Sequence, residues 1–126
     1  MQAKYIIQGE PFSVTKLHLY KKRVWDQHES NISYRKQQLV NQHGDLTKPY
    51  NGSLKLDITF YFMTPCRSPH LNGKNHRSDP SLNRLILFVE RIGENILFAK
   101  DVLICELSAR KLYDFEPRTE IVVMKD

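Results

Sequence analysis

The chain has few cysteines and no long hydrophobic run, and each shortage excludes a class of protein. Its 126 residues include two cysteines, Cys66 and Cys105, which do not form a CxxC or any other zinc spacing. The most apolar stretch, residues 54–63, is interrupted by Lys55 and Asp57 and is too short to span a bilayer. The first residues, M-Q-A-K-Y-I-I-Q-G, lack the long apolar region of a secretory signal. We therefore expect a cytoplasmic protein whose thiols stay free.

One loose group of metal-binding residue types remains, namely Cys66 with His70 and His76. A structural zinc site takes four protein ligands, and this group lacks a fourth. A polar loop is therefore the preferred interpretation of this stretch, with a metal cluster as the alternative.

Basic residues outnumber acidic ones. Lysine and arginine total 19 against 14 aspartates and glutamates, which gives a net charge of +5 and a pI near 9.3. This excess suits a polyanionic partner but does not identify one. The basic residues are also segregated: Lys16, Lys21, Lys22 and Arg23 form one cluster, and residues 64–78, here called the basic loop, carry Arg67, Lys74, Arg77, His70 and His76 without any acid. Such segregation is typical of phosphate contacts, with a solvated face as the alternative.

The length predicts one domain with a substantial core. Alternating apolar residues predict strands at residues 4–8 and 54–63, and in the second strand the even-numbered side chains face the core. A further strand is expected around residues 17–20 or 23–26. A helix is expected over residues 31–42, ending before Gly44.

The second half of the chain predicts a helix followed by two strands. Asp79 and Pro80 suit a helix start, because aspartate can cap free amides and proline fits the first turn. Leu82, Leu85, Ile86, Val89 and Ile92 then follow with the spacing of one buried face, and Gly93 marks the expected end. Residues 102–112 and 119–124 are expected to pair as a hairpin. This order predicts a single α+β domain.

Several local sequences in this order resemble the RusA family of Holliday-junction resolvases. They are L-K-L-D-I-T-F-Y-F, L-I-L-F-V-E, I-L-F-A-K-D-V-L-I and K-L-Y-D-F-E-P-R-T-E-I, between about residues 52 and 123. Proteins of that family are small homodimeric nucleases that cut four-way DNA junctions with magnesium. The resemblance therefore implies a RusA-like mixed sheet packed with two main helices over residues 1–126. It also implies DNA as the partner, a homodimer, and Mg²⁺ as cofactor if the site is active.

This chain carries the acidic motif of that family in altered form. The motif is Arg-Pro-Asp-x-Asp-Asn-Leu-x-Lys, followed by a helix and an Asp-Asp pair before a strand. An alignment without gaps on Pro80 and L-I-L-F-V-E shows the changes at the motif positions: Asp79 for Arg, Ser81 and Asn83 for the two Asp, Arg84 for Asn, Leu87 for Lys, and Lys100 for the first Asp of the later pair. Of the three acids implied as essential, only Asp101 stands in register.

These replacements change the charge of the implied metal site. Magnesium prefers oxygen ligands that include carboxylates, and bound ions activate water and stabilise charge on the phosphate. Ser81 and Asn83 remove two negative charges, while Arg84 and Lys100 add positive ones. The local charge therefore disfavours a divalent ion and favours a phosphate. Asp101 is the best candidate for a catalytic or metal-binding acid, and Asp79 is the second, although helix capping also explains Asp79.

These observations predict a DNA-binding relative of junction endonucleases whose nuclease activity is weak or lost. One alternative is an active magnesium-dependent resolvase with relocated carboxylates. Another is a protein-interaction module built on the same fold. The candidate DNA-binding residues are Lys21, Lys22, Arg23, Arg67, Lys74, Arg77, Arg84, Lys100, Arg110 and Lys111.

Overall fold

The structure of the protein is a computed structural model that describes residues 2–13, 22–44 and 47–125, without the side chains of residues 22–30. Its elements in chain order are β1 (Gln2–Gln8), α1 (Lys22–His43), β2 (Ser53–Met63), α2 (Leu82–Gly93), β3 (Leu103–Asp114) and β4 (Arg118–Lys125). Within these residues, no helix has both the length and the apolar character needed to cross a membrane.

The strands form one mixed sheet of four strands in the order β1-β4-β2-β3. β2 lies between β4, to which it is antiparallel, and β3, to which it is parallel. β1 pairs antiparallel with β4 at one edge. Together with the two helices, this sheet confirms the predicted α+β class.

The alternation predicted for β2 is confirmed. Leu54, Leu56, Ile58, Phe60 and Phe62 are all at most 5% exposed. With buried side chains of β1, of β4, of both helices and of the turn after α2 they form a single core cluster. We call this side of the sheet the inner face. The outer face is the opposite one, formed in β2 by the odd-numbered side chains.

α2 packs its apolar stripe into the same core. Leu85, Phe88, Val89 and Ile92 are buried, in agreement with the predicted helix and its end at Gly93. A Cβ atom on Gly93 would lie 2.5 Å from the ring of Phe98, so only glycine allows this close approach.

The predicted capping role of Asp79 is wrong. The N-cap of α2 is Ser81, whose side chain makes no capping hydrogen bond. The helix begins only at Leu82, so Asp79 lies two residues too early to reach the first-turn amides in the manner of a cap.

The predicted hairpin of β3 and β4 is also wrong, because β2 lies between the two strands. The short connection after Asp114 crosses the end of β2, where the backbone N–H of Thr64 donates to the carbonyl of Asp114 at 2.9 Å. At its far side the N–H of Gly9 donates to the carbonyl of Pro117 at 3.1 Å. Local turn signals cannot distinguish this crossing from a hairpin.

α1 is longer than predicted and includes residues 23–26, so a strand there is wrong; residues 17–20 lie outside the described residues. Its contact with β1 is partly polar. The side-chain amide of Gln42 accepts from the backbone N–H of Ile6 at 2.7 Å and donates to the carbonyl of Ile6 at 2.6 Å. Gln38 accepts from the N–H of Gln8 at 2.7 Å. The helix therefore covers the free edge of β1 through amides.

Candidate nucleic-acid interface

The second half of the basic loop is attached to the outer edge of β3. The N–H of His76 donates to the carbonyl of Lys111 at 3.0 Å, and the N–H of Gly73 donates to the carbonyl of Tyr113 at 2.9 Å. In return the N–H of Tyr113 donates to the carbonyl of Lys74 at 2.9 Å. These bonds surround a single β-bridge between Asn75 and Leu112, so this half of the loop keeps a fixed position relative to the sheet.

The side chain of His76 anchors this loop between two aromatic rings. Its ring stacks on Phe62, with centroids 4.0 Å apart, and contacts Tyr113 at 4.9 Å. Burial, assisted by the charge of Lys111, lowers the pKa of His76. Both effects favour the neutral imidazole over the doubly protonated imidazolium.

A shallow cleft of about 390 Å³ opens between the basic loop, the start of α2 and β3. Its lining consists of Asn75, His76, Leu82, Ala109, Arg110 and Lys111. The first turn of α2 carries no acidic residue. The lining residues are thus neutral or cationic, which suits an anionic ligand.

Lys111 occupies a fixed position in this cleft. Its ammonium donates to the backbone carbonyls of Ser78, at 2.5 Å, and Pro80, at 2.6 Å, and lies 5.9 Å from the ring centroid of Phe62. Burial of the ammonium lowers the pKa of Lys111, and the charge of Asp79 opposes this effect. An ammonium has three N–H groups, so one remains for a ligand after the two carbonyls.

Arg110 directs its charge away from Lys111, because neighbouring residues of a strand point to opposite faces. Its guanidinium lies on the outer face, 2.8 Å from the carboxylate of Asp57. It also donates to the hydroxyls of Thr59 at 2.7 Å and Ser108 at 3.0 Å. This predicted DNA contact is therefore already paired with an acid, whereas the ammonium of Lys111 donates to two backbone carbonyls.

The fold and the cleft can be compared with known protein families. The family model described as Endodeoxyribonuclease RusA matches residues 10–124, nearly the whole chain. The chain belongs to the RusA family. No curated protein and no solved structure matches it significantly. Membership supports a function of the Holliday-junction resolvase kind, in DNA binding or cleavage, and RusA resolvases are generally metal-dependent.

The structure separates the positions at which the RusA acids are expected. Ser81 and Asn83 are exposed at the start of α2. Asp101 and Lys100 are exposed in the turn that precedes β3, where the N–H of Val102 donates to the carbonyl of Ala99 at 3.2 Å. The 12 residues of α2 lie between these two places, a distance of about 18 Å along a helix. The two positions therefore lie at opposite ends of α2.

The residues at the cleft do not fit a magnesium ion. Ser81 and Asn83 are neutral, and the carbonyl next to Ser81, that of Pro80, is already taken by the ammonium of Lys111. Across the described ranges, no three histidine, cysteine, aspartate or glutamate side chains come together as a metal-binding group. A divalent cation beside this ammonium would be repelled, and the negative charge of Asp79, which acts on Lys111, is already offset by that ammonium.

The other predicted site residues are widely distributed. The exposed ones are Arg67, Lys74, Arg77, Asp79, Arg84, Lys100 and Asp101. Lys22 and Arg23 begin α1, but their side chains, like all of Lys21, lie outside the described part of the chain. Of the suggested cysteine–histidine group, Cys66 and His70 are exposed and His76 is packed between rings.

Sequence reasoning named Lys111 as a basic residue but missed its attachment to the turn before α2, and it missed the packing of His76. The sequence did contain one indication that Lys111 has a special role. Strand alternation through β3 places Lys111 on the inner face, opposite Phe60 of β2. A lysine on an otherwise apolar face predicts either a partner or a site.

Proposed function

We propose that this chain binds branched or duplex DNA as a RusA relative whose nuclease activity is weak or lost. The observation that carries this proposal is the ammonium of Lys111, held by two backbone carbonyls directly before the position of the first family acid. A fixed cation there favours a backbone phosphate and opposes a metal ion.

Binding is proposed to use phosphate contacts that fix the position of the DNA without selecting its sequence. Lys111 supplies the contact in the cleft, and the exposed Lys74 and Arg77 of the basic loop and Arg84 of α2 are proposed as further phosphate contacts. Arg67 and Lys100 extend the positive surface. Recognition of a junction depends on the shape of the DNA, so it does not require the metal.

A homodimer in the cytoplasm completes the proposal. Two-fold symmetry of a dimer matches the symmetry of a four-way junction, because each subunit then meets an equivalent pair of arms. Affinity measured at increasing salt should fall steeply, since each phosphate contact releases counterions.

The experiment is incubation of the protein with a labelled four-way junction and a matched duplex, with EDTA, with magnesium and with manganese. We expect a gel shift under all three conditions and little or no cleavage. Efficient paired nicking with either metal would contradict the loss of activity and support a resolvase that uses relocated carboxylates such as Asp79 and Asp101. Failure to bind either DNA at low salt would support the protein-interaction alternative instead.

A further inference from the structure

The chain contains two Asn-Gly sequences, at residues 51–52 and 72–73. In both, the glycine has a positive φ, 75° at Gly52 and 83° at Gly73, and all four residues are exposed. A Cβ atom built on either glycine would meet nothing within 4 Å. The two sequences are therefore alike in residue type, backbone conformation and exposure, and it is their hydrogen bonds that distinguish them.

An asparagine followed by a glycine can lose its side-chain amide spontaneously, because glycine has no side chain to obstruct the reaction. The backbone nitrogen of the glycine bonds to Cγ of the asparagine, and the Cγ–Nδ2 bond breaks. The nitrogen of the amide leaves as ammonia and takes the proton of the glycine N–H. Water then opens the resulting five-membered imide at one of its two carbonyls, which gives either aspartate or isoaspartate.

Hydrogen bonds hold both reacting groups of the second sequence. The N–H of Gly73, which contains the attacking nitrogen, donates to the carbonyl of Tyr113 at 2.9 Å. The side-chain oxygen of Asn72 accepts from the hydroxyl of Thr64 at 2.9 Å, and Thr64 is only 1% exposed. The N–H of Asn72 also donates to the carbonyl of Pro69 at 3.2 Å. This part of the basic loop must therefore open locally before the nitrogen can attack.

The first sequence lacks these restraints. Among the described residues, no hydrogen bond joins the N–H of Gly52 or the side chain of Asn51 to another group. The carbonyls on either side are bound: that of Tyr50 accepts from the N–H of Ala99 at 3.0 Å, and that of Gly52 accepts from the N–H of Leu103 at 2.8 Å. The attacking nitrogen lies between these two fixed points, and it can react without breaking a hydrogen bond to the described part of the chain.

Isoaspartate at this position would alter the turn before β3. That turn is attached to residues 50–52 by the two bonds just described and by the N–H of Tyr50, which donates to the carbonyl of Leu97 at 2.7 Å. In isoaspartate the main chain runs through Cβ and Cγ, so it is one atom longer between the two attached peptide groups. The hydrogen bonds of a parallel pair are evenly spaced, and the longer chain cannot keep all of them. Lys100 and Asp101 lie within the attached turn.

We propose that Asn51 is a site of spontaneous modification, at which the folded chain loses a side-chain amide through an imide with Gly52, and that the isoaspartate formed there loosens the turn that carries Lys100 and Asp101. Water is the only co-reactant, and ammonia is the product that leaves. The exposed neutral amide becomes a carboxylate. Asn72 is protected from the same reaction by the bonds of the basic loop to the sheet.

The first test is the rate of amide loss at each asparagine in a mildly alkaline buffer, located by tandem mass spectrometry, for the folded protein and for the protein in urea. In urea the two rates should be similar, because the reacting residues are the same. In the folded protein Asn51 should react at least about tenfold faster than Asn72, since the hydrogen bonds of Asn72 and Gly73 must break first. Equal rates in the folded protein, or no loss at Asn51, overturn the proposal.

Two matched variants test the assignment to Asn51 by the ammonia that the folded protein releases. Asn51→Gln keeps an amide but would have to close a larger, six-membered imide, which forms slowly. We expect this variant to lose most of the ammonia release of the wild type. Asn72→Gln makes the same change in the protected sequence, and it should release ammonia at the wild-type rate. An equal decrease in both variants, or a decrease in Asn72→Gln alone, overturns the assignment.

The loosened turn is tested by amide hydrogen exchange on the isoaspartyl form, separated by chromatography, and on Asn51→Asp. The variant has the same added carboxylate but a main chain of normal length, so it isolates the effect of the extra atom. We expect the amides of Ala99 and Leu103 to exchange at least about tenfold faster in the isoaspartyl form. The amide of His76, bound on the other side of β3, should be unchanged. Equal exchange in the two proteins, or the same acceleration at His76, overturns the local loosening.

Discussion

The cations of the outer sheet face and the cation of the cleft have different partners. On the outer face Lys4 contacts Glu120 at 3.0 Å, Lys55 contacts Glu106 at 3.7 Å, and Arg110 contacts Asp57 at 2.8 Å. In the cleft the ammonium of Lys111 donates to the backbone carbonyl oxygens of Ser78 and Pro80. Carboxylates neutralise a cation, whereas carbonyls hold it in place and leave its charge available. We infer that the outer face stabilises the fold and that the cleft binds the ligand.

Arg118 is the clearest member of the stabilising group. Its guanidinium contacts Glu120 at 2.7 Å and Asp114 at 3.2 Å, donates to the carbonyl of Glu116 at 2.7 Å, and lies 3.9 Å from the ring centroid of Tyr61. Its side chain is 18% exposed. It joins β4 to the turn that follows β3.

The largest effect is expected from Arg118→Met. Loss of these charged hydrogen bonds should lower the free energy of unfolding by about 2–3 kcal/mol, measured by urea denaturation. Junction affinity should change by less than about twofold once the folded fraction is corrected, because this cation is already paired. Lys125→Met, at the exposed end of β4, is the control for loss of one charge. A large loss of affinity with little loss of stability would reverse the assignment of the outer face.

Lys111→Met should show the opposite pattern. We expect junction affinity to fall about tenfold, equivalent to about 1.4 kcal/mol, because one charged hydrogen bond to phosphate is lost. The slope of affinity against salt should decrease by about one counterion. Fluorescence anisotropy at several salt concentrations measures both quantities. Lys111→Arg keeps the charge and should retain part of the affinity. Unchanged affinity in Lys111→Met would show that the cleft does not contact the DNA.

Sequence alone predicts the elements of this fold better than their pairing. β2 and α2 follow from apolar periodicity, and β1 from its short apolar run. The order of β3 and β4 does not, because it depends on where β2 enters the sheet. α1 was predicted too short because its first residues, 22–30, are mostly charged or polar and carry no apolar stripe at helical spacing.

The candidate site, like the fold, was predictable from the sequence only in part. The loss of acids at Ser81 and Asn83 is visible in the sequence once the resemblance is drawn. The anchoring of Lys111 is not, because its partners at Ser78 and Pro80 are backbone carbonyls and every residue has one. The helix between Ser81 and Asp101 was predicted from the sequence, but the path of the turn after it, which leaves Asp101 at the far end of α2, was not.

Groups in the two regions should lower the stability of the protein in different pH ranges. As the pH falls, the effect of the cleft residue His76 should appear before that of the outer face. The pKa of His76 is lowered by burial and by Lys111, so the folded state binds its proton less readily than the unfolded state. Stability from neutral His76 is full above about pH 6.5 and falls as the pH drops toward the lower pKa of the folded state. His76→Gln should remove this decline, measured as Tm from pH 8 to about 5. His70→Gln, at an exposed position of the same loop, is the control and should keep the wild-type profile.

The contribution of the outer face to stability should be lost only in stronger acid, and this is the smallest of the expected effects. The backbone N–H of Glu116 and the guanidinium of Arg118 lower the pKa of Asp114. Its contribution to stability is present above about pH 3.9, the ordinary value, and is lost as the pH falls through the lower pKa of the folded state. Asp114→Asn should flatten the Tm profile in that range alone. A change of the Tm profile near pH 6 in this variant would contradict the separation of Asp114 from the residues of the cleft.

The most direct measurement is the affinity of the wild-type protein and of Lys111→Met for a four-way junction, each with EDTA and with magnesium at equal ionic strength. If the lysine ammonium replaces the divalent ion, the wild-type protein binds equally well under both conditions, and the variant is weaker under both. Binding that requires magnesium, or that magnesium restores fully in the variant, would show that a metal ion and not Lys111 supplies the positive charge of the cleft.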